Sequence, residues 1–276
     1  LCKDAARFFH TQLLAPCGEE ARQYITKRAL SRSTVTRFGL GFAPNEWSSL
    51  LDEMVKKGYT KEELLEAGLA VKSQKGGIYD RFRNRLMFPI IDVRGNIIGF
   101  GGRVMDDSTP KYLNSPETII FNKRKNLFAL NIAKKSKQGR IILTEGYMDA
   151  IALHQYGFDC AVASLGTSLT EEHANLLAKY TNQIVLIYDG DEAGQNATRR
   201  AIPMLEKVGL QVKILRMQGA KDPDEFLRKF GADRFSLLLD QSENQAEYHL
   251  QSLRRKYDLT QDDQRVAFLS DAAEMV

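Results

Sequence analysis

Five carboxylates stand beside glycine or proline in this sequence of 276 residues: Glu145 before Gly146, Asp189 and Asp191 around Gly190, and Asp222 and Asp224 around Pro223. The first two groups end apolar, β-rich runs, and the third lies shortly beyond another. Carboxylate oxygens are the hard ligands Mg²⁺ prefers, and Mg²⁺ commonly takes one or two of them plus substrate phosphates. Two such ions about 4 Å apart can activate an attacking hydroxyl and stabilise a leaving oxygen. The pattern points to metal-dependent phosphoryl transfer. Gly146, Gly190 and Gly194 permit tight turns and close approach of backbone to phosphate. Pro223 stiffens the loop expected to carry Asp222 and Asp224. Taken singly, each acid has a plainer explanation. Asp-x-Asp pairs are common in turns, Asp224 can cap a helix, and Glu145 can be a solvated loop residue. The three groups together are a specific arrangement.

The elements that must position these acids are legible around them. Strands are predicted at 140–144, 160–165, 183–188 and 211–217, and helices at 147–156, 192–208 and 224–229. Ser168 to Glu171 matches a capping box ahead of a further helix. Continuous apolar strands alternating with helices imply a parallel sheet covered on both faces. Such sheets bind ligands beyond the carboxyl ends of their strands, so the five acids share one edge if these strands are neighbours. Upstream, helices are expected at 5–14, 19–30, 46–57 and 60–67. A hairpin is expected over LMFPIIDVRGNIIGFGGRV, turning at Arg94-Gly95-Asn96. The fold class expected is α/β: a central sheet with helices on both faces (123–230), preceded by a mixed, basic α/β subdomain (1–122) and followed by a helical one (231–276), truncated here.

Charge separates along the chain. The net charge is only +4, but residues 72–140 hold 15 Lys+Arg against 5 Asp+Glu, whereas 141–240 hold 10 against 14. A basic segment beside an acidic one fits a polyanion held next to a metal site, although a solvated surface can show the same asymmetry. Other chemistries lack their signatures. Cys2, Cys17 and Cys160 are far apart, giving neither a zinc ribbon nor a disulfide framework, as suits a reducing cytoplasm. There is no P-loop, Val104 spoils a GxGxxG reading of Gly99-Phe100-Gly101-Gly102, and no GxSxG elbow occurs. His10, His154, His173 and His249 lack metal-ligand spacing. No run of 18 apolar residues suggests a membrane span, and LCKDAARFFH does not read as a signal peptide. Leu1 is no start methionine, so the chain reads as a piece of a longer protein.

EGYMDAIAL, YDGDEAG and KDPDEFL resemble the toprim domain shared by bacterial primases, topoisomerases and some nucleases. YDRFRNRLMFPIIDVRGNIIGFGGRV and PKYLNSPETIIFNK resemble segments of bacterial DnaG-type DNA primases, and the likeness runs over about residues 24–230. The resemblance implies a toprim-type sheet and synthesis of short RNA primers on single-stranded DNA from NTPs. It implies Mg²⁺ at Glu145, Asp189, Asp191 and Asp224, with Asp222 close by, and Mn²⁺ as a substitute. Glu145, Asp189 and Asp191 would be the catalytic acids. The family's nucleotide- and template-binding residues map onto Arg28, Arg81, Arg83, Arg85, Arg103, Lys111, Tyr112, Asn114 and Lys123. A zinc-binding domain would precede residue 1, and a domain binding the replicative helicase would follow residue 276. A single-stranded-DNA-binding protein is a further implied partner, no membrane is implied, and the place is the cytoplasm, at the replication fork. Without the resemblance, the RFRNR run would read as a solvated basic edge.

Two other readings remain at this level. Another toprim enzyme would relax or cleave DNA in place of incorporating ribonucleotides. A non-catalytic single-strand-binding module would not need the acids, and its binding would survive EDTA.

Overall fold

The computed structural model describes residues 1–188, 190–217, 219–254 and 256–273. Three helices come first: α1 (Cys2–Leu14), α2 (Glu19–Lys27) and α3 (Arg32–Phe38). α2 ends before residue 30 because Ala29 turns to a φ of 54°. α3, which sequence periodicity did not reveal, is only seven residues long, with Ser31 accepting the Thr34 N–H at its start. The chain continues through β1 (Gly41–Ala43), α4 (Ser49–Lys56), α5 (Lys61–Glu66), β2 (Ala70–Lys72) and β3 (Ile78–Asp80). The expected hairpin follows as β4 (Arg85–Ile91) and β5 (Ile97–Val104). Asp92 builds its turn by accepting the N–H groups of Arg94 and Asn96 at 2.8 and 2.9 Å. With β6 (Tyr112–Asn114) these strands form an antiparallel sheet ordered β1-β4-β5-β6.

After the short α6 (Leu130–Ala133) the pattern changes. β7 (Ile141–Thr144), α7 (Tyr147–Gln155), β8 (Ala161–Ala163), α8 (Glu171–Leu177), β9 (Gln183–Ile187), α9 (Glu192–Lys207), β10 (Gln211–Ile214) and α10 (Pro223–Asp240) alternate. The parallel strands lie in the order β10-β9-β7-β8, and β11 (Glu243–Asn244) adds an antiparallel edge beside β10. α11 (Gln245–Arg254) and α12 (Asp262–Ala273) close the described chain. The box at the start of α8 forms two residues later than the sequence suggested. Thr170, not Ser168, accepts the His173 N–H, and the His173 ring accepts the Thr170 N–H.

Strand alternation decides what packs where. Ile141 and Leu143 of β7 and Ile184 and Leu186 of β9 meet Leu177, Ile202 and Leu205 of α8 and α9. Ile142, Val185 and Ile187 face the other way, onto Leu153 of α7 and Phe226, Phe235 and Leu239 of α10. The sheet's own core thus reaches past residue 230, although Gly231 (φ 79°) interrupts the helix there. In the antiparallel sheet, Met87 and Phe100 pack on Phe9, Leu50, Met54 and Leu64. The opposite face, with Leu86, Phe88 and Ile90, packs on Tyr147, Met148 and Ile151 of α7, which joins the two sheets. Gly101 makes that junction possible. A Cβ there would lie 2.7 Å from the Tyr147 ring, which stacks on Phe88 at 5.2 Å.

Candidate active site

The strands that precede the acids are neighbours. β7 pairs with β9 and β9 with β10, all parallel. The chain leaves β7 first toward β8 and then returns to lay β9 on the other side. The crevice beyond β7 and β9 is therefore the switch point at which such sheets bind ligands. Glu145 emerges exposed from β7. It faces the end of β9, where burial, reinforced by the Glu145 charge, pushes the Tyr188 hydroxyl upward. Glu145, Ser164, Thr167, Ser168 and Tyr188 line a groove of about 290 Å³. Asp191 caps α9 by accepting the Gly194 N–H at 2.8 Å. It also lines, with Arg216 and Lys221, a second groove of about 400 Å³ that shares Tyr188 with the first. Asp189 lies outside the described residues.

The third acidic group lies at the start of a helix and not in the stiffened loop expected. Pro223 is the first residue of α10, where its missing N–H costs nothing. Asp222 caps the helix through the Glu225 N–H at 2.8 Å. Asp224 therefore sits in the first helical turn. It is 1% exposed and pairs with Arg28, which caps the end of α2, and with Arg228, whose Nε and Nη2 both lie at 3.3 Å. Burial works against the Arg28 charge, but the bond to Asp224 prevails and holds its pKa above the ordinary value.

The donor set fits Mg²⁺ in kind. Glu145 and Asp191 offer hard oxygens at the ends of adjacent strands, and Mg²⁺ habitually completes its shell with water and phosphate. A capping aspartate uses one oxygen for its helix and has a second. Among the described residues, no three Asp, Glu, His or Cys side chains converge as a self-sufficient cage.

The basic residues divide into groups that the sequence did not distinguish. Arg28 and Arg103 both lie over the Tyr24 ring, 5.4 and 4.1 Å from its centre. Tyr112 stands beside them. Although 38% of its surface is exposed, desolvation pushes its hydroxyl up to about 12, with Tyr24, Arg103, Asp149 and Arg28 near enough to add their fields. Arg85, by contrast, is 7% exposed and donates to the carbonyls of Gly102 and Pro110 at 3.2 and 3.0 Å. Arg81 donates to the Asn114 carbonyl at 3.0 Å, and Arg83 lies 4.3 Å from the centre of a Trp47 ring. Asn114 is a junction. Its side chain donates to the Leu165 carbonyl at 2.8 Å and accepts the Tyr147 hydroxyl at 2.7 Å, tying β6 to the loops around Glu145 and Ser164. Lys111 is exposed and Lys123 half-buried. His173 Nε2 donates to the Lys123 carbonyl at 2.9 Å, since Nδ1 accepts from Thr170.

Sequence reasoning missed Tyr24 and Asp149. Asp149 carried a signal: it stands one helical turn after Glu145. A Cβ on Gly146 would meet its Oδ2 at 2.8 Å, so the glycine lets that carboxylate close over the turn. Tyr24 carried no polar signature, because it works by its ring face.

The fold and site define the class. Residues 142–227 match the family described as Toprim-like, and within them Glu145 and Asp191 stand at the switch point of the parallel sheet. Residues 8–134 match the DNA primase catalytic core, N-terminal domain. The DNA primase of Clostridium acetobutylicum is 46% identical over 274 residues, covering 99% of this chain and 46% of that protein. A solved DnaG primase catalytic domain bound to single-stranded DNA is 40% identical, covering 98% of this chain and 88% of its own, with a TM-score of 0.84. The RNA polymerase domain of Mycobacterium tuberculosis primase DnaG, in complex with a double-stranded DNA oligomer with a 6-nucleotide overhang, is 32% identical with a TM-score of 0.88, covering 98% and 88%. This chain belongs to the DnaG primase catalytic-core family. It spans about half the length of the curated relatives it matches.

Proposed function

We propose that this chain is the polymerising core of a DNA primase, joining ribonucleotides into short RNA primers on a single-stranded DNA template. The observation that carries the reading is the placement of Glu145 and Asp191 beyond adjacent parallel strands, with Arg28 of the basic subdomain docked onto the helix that follows the next strand. A polyanion seated between the subdomains meets carboxylates on one side and guanidinium groups on the other.

In the reaction a primer 3′-hydroxyl attacks the α-phosphate of an incoming NTP, and pyrophosphate leaves. Glu145, Asp189 and Asp191, with Asp224 and the neighbouring Asp222 from the start of α10, would supply the carboxylates for Mg²⁺ or Mn²⁺, which would provide charge stabilisation at the attacking and leaving oxygens. The chain's own work is positioning. Arg28 and Arg103, braced on Tyr24, offer a positive field to the triphosphate. Lys111, Tyr112 and Lys123 extend that surface toward the template backbone, whose phosphates carry no base code. The buried Arg85 and the tethered Arg81 and Asn114 keep this surface in register with the acids. A replicative helicase and a single-stranded-DNA-binding protein would act through other parts of the full-length protein, in the cytoplasm. No described helix is long and apolar enough to cross a membrane.

The test is incorporation of labelled ribonucleotides on single-stranded DNA, with Mg²⁺ and with EDTA. Metal-dependent RNA products are expected. Relaxation or cleavage of DNA without incorporation would mark another toprim enzyme. Template binding that survives EDTA, with no product, would mark a binding module.

A further inference from the structure

We infer that Asp224 is a positioning residue, not a metal ligand: it holds Arg28, and through Tyr24 also Arg103, at the seam between the two sheets. The inference rests on the proposed reading of the site and assigns a different role to one of its five acids.

Burial and pairing together carry the argument. Asp224 is the most enclosed of the described acids at this edge. Its side chain is 2% exposed, whereas its partners Arg28 and Arg228 are 28% and 32% exposed. Each of its oxygens meets a guanidinium, Oδ1 from Arg228 and Oδ2 from both Arg28 and Arg228. A buried carboxylate needs such partners, because a charge taken out of water without them is costly. A divalent cation bound to these oxygens would stand against two fixed positive groups and would have to displace them. Asp222 is in a different position, since it lies two residues earlier, half-buried, with a backbone N–H on one oxygen.

The pairing also crosses the molecule. Arg28 directly follows α2 in the basic subdomain, and Asp224 lies in the first turn of α10 on the parallel sheet, 196 residues away in sequence. Beyond Arg28 the line continues through the Tyr24 ring, which carries Arg28 on one contact and Arg103 of β5 on another. Guanidinium groups stack well on aromatic faces. Arg228, Asp224, Arg28, Tyr24 and Arg103 thus form one continuous chain of contacts. It holds two cations near Tyr112, whose hydroxyl also feels Asp149, and of these five residues Asp224 is the acid. Removing that acid frees Arg28 to swing, and the expected loss is in nucleotide binding.

The experiment compares Asp224→Asn, Arg28→Gln and their double variant with Asp191→Ala. Mn²⁺ binding is read by the electron-paramagnetic signal of the free ion, nucleotide binding by a fluorescent NTP, and turnover by KM and kcat separately. For Asp224→Asn, Mn²⁺ affinity should fall by less than about threefold, the change a nearby screened charge allows. The NTP dissociation constant and KM should rise about tenfold, with kcat within about threefold. Arg28→Gln should match it, and the double variant should add little to either. Loss of Mn²⁺ binding as large as in Asp191→Ala would overturn the inference, as would unchanged nucleotide affinity. Should Asp224→Asn not fold, Arg28→Gln decides alone. A Mn²⁺ isotherm within about threefold of the unaltered chain's, the change a nearby screened charge allows, supports the positioning role. Tightening beyond that, as expected when a competing guanidinium leaves a true ligand, refutes it. Both binding readouts stand even if the chain makes no primers.

Discussion

In β7 and β9, the central strands of the parallel sheet, charged residues lie only beyond the strand ends; in and around the antiparallel sheet they lie among the strands. β7 and β9 are covered on both faces, so nearly every side chain within them is apolar and buried. Charge can appear only where those strands stop, and the fold delivers it to one edge. The antiparallel sheet has short edge strands and irregular connections whose carbonyls point inward. These accept bonds from arginines, so Arg85 is buried at the start of β4 while Arg103, paired across from Leu86 on β5, reaches the Tyr24 ring. One region assigns function by topology, the other by local packing.

The sharpest way to break that contrast is at Asp191, whose two roles can be separated. Asparagine caps a helix about as well as aspartate but is a poor Mg²⁺ ligand. Asp191→Asn should keep the fold, with stability within about 1 kcal/mol. It should cost primer synthesis about 10³-fold or more, roughly 4 kcal/mol of transition-state stabilisation. Thermal unfolding and ribonucleotide incorporation on one preparation check both halves. Near-normal incorporation would mean that the strand-end acids serve the fold alone.

His154 tests the seam between the regions. Its ring edge meets Phe38 of α3 at 5.2 Å, and Nε2 donates to the Ala161 carbonyl of β8 at 2.8 Å. Burial, only partly offset by that bond, lowers its pKa to about 4. Above pH 6.5 the ring is neutral in both folded and unfolded chains, and its contribution to stability is whole. As pH falls from 6.5 toward 4, the unfolded chain takes up a proton that the folded one excludes, so stability declines. The full effect is roughly 3 kcal/mol. Urea midpoints across this range should drop less for His154→Phe than for the unaltered chain. Parallel curves would show that the seam tolerates charge.

This contrast also explains what could be read in advance. The strands and helices of the parallel sheet were legible because continuous apolar runs leave little choice, and strand-end acids follow from that order. The adjacency of β7, β9 and β10 was a condition the sequence could state but not guarantee. Asp224 looked like Asp191 because spacing does not report burial. It is buried and paired with Arg28, 196 residues away, and with Arg228. RFRNR read as one basic run, yet Arg81, Arg83 and Arg85 meet a carbonyl, an indole and a buried backbone cluster respectively. α3 and β11 are too short for periodicity to show.

Arg85 isolates the packing half of the contrast. Arg85→Met keeps the apolar stem but removes bonds to the carbonyls of Gly102, which is buried, and Pro110. Leaving a buried acceptor unpaired costs about 1–3 kcal/mol. Chemical denaturation should show that loss, while the salt dependence of DNA binding stays as it was. A changed salt slope at normal stability would place Arg85 on the nucleic-acid surface after all.

The smallest effect is the most diagnostic of where DNA runs. Each phosphate neutralised on single-stranded DNA contributes about 0.7 to the slope of log affinity against log salt. Arg103→Ala and Lys123→Ala should each lower that slope by about 0.7 and weaken binding by roughly 1 kcal/mol at moderate salt. Arg83→Ala should leave the slope unchanged, because its guanidinium lies over Trp47 and Tyr79 and not over the Tyr24 ring that braces Arg28 and Arg103. Fluorescence anisotropy of a labelled oligonucleotide over a salt series measures all three. Arg103 already has one bond fixed, from Nη1 to the Val104 carbonyl at 2.9 Å, which orients the guanidinium without neutralising it. An equal slope change in Arg83→Ala would mean that the template crosses the Trp47 side of the basic subdomain, away from the Tyr24 brace.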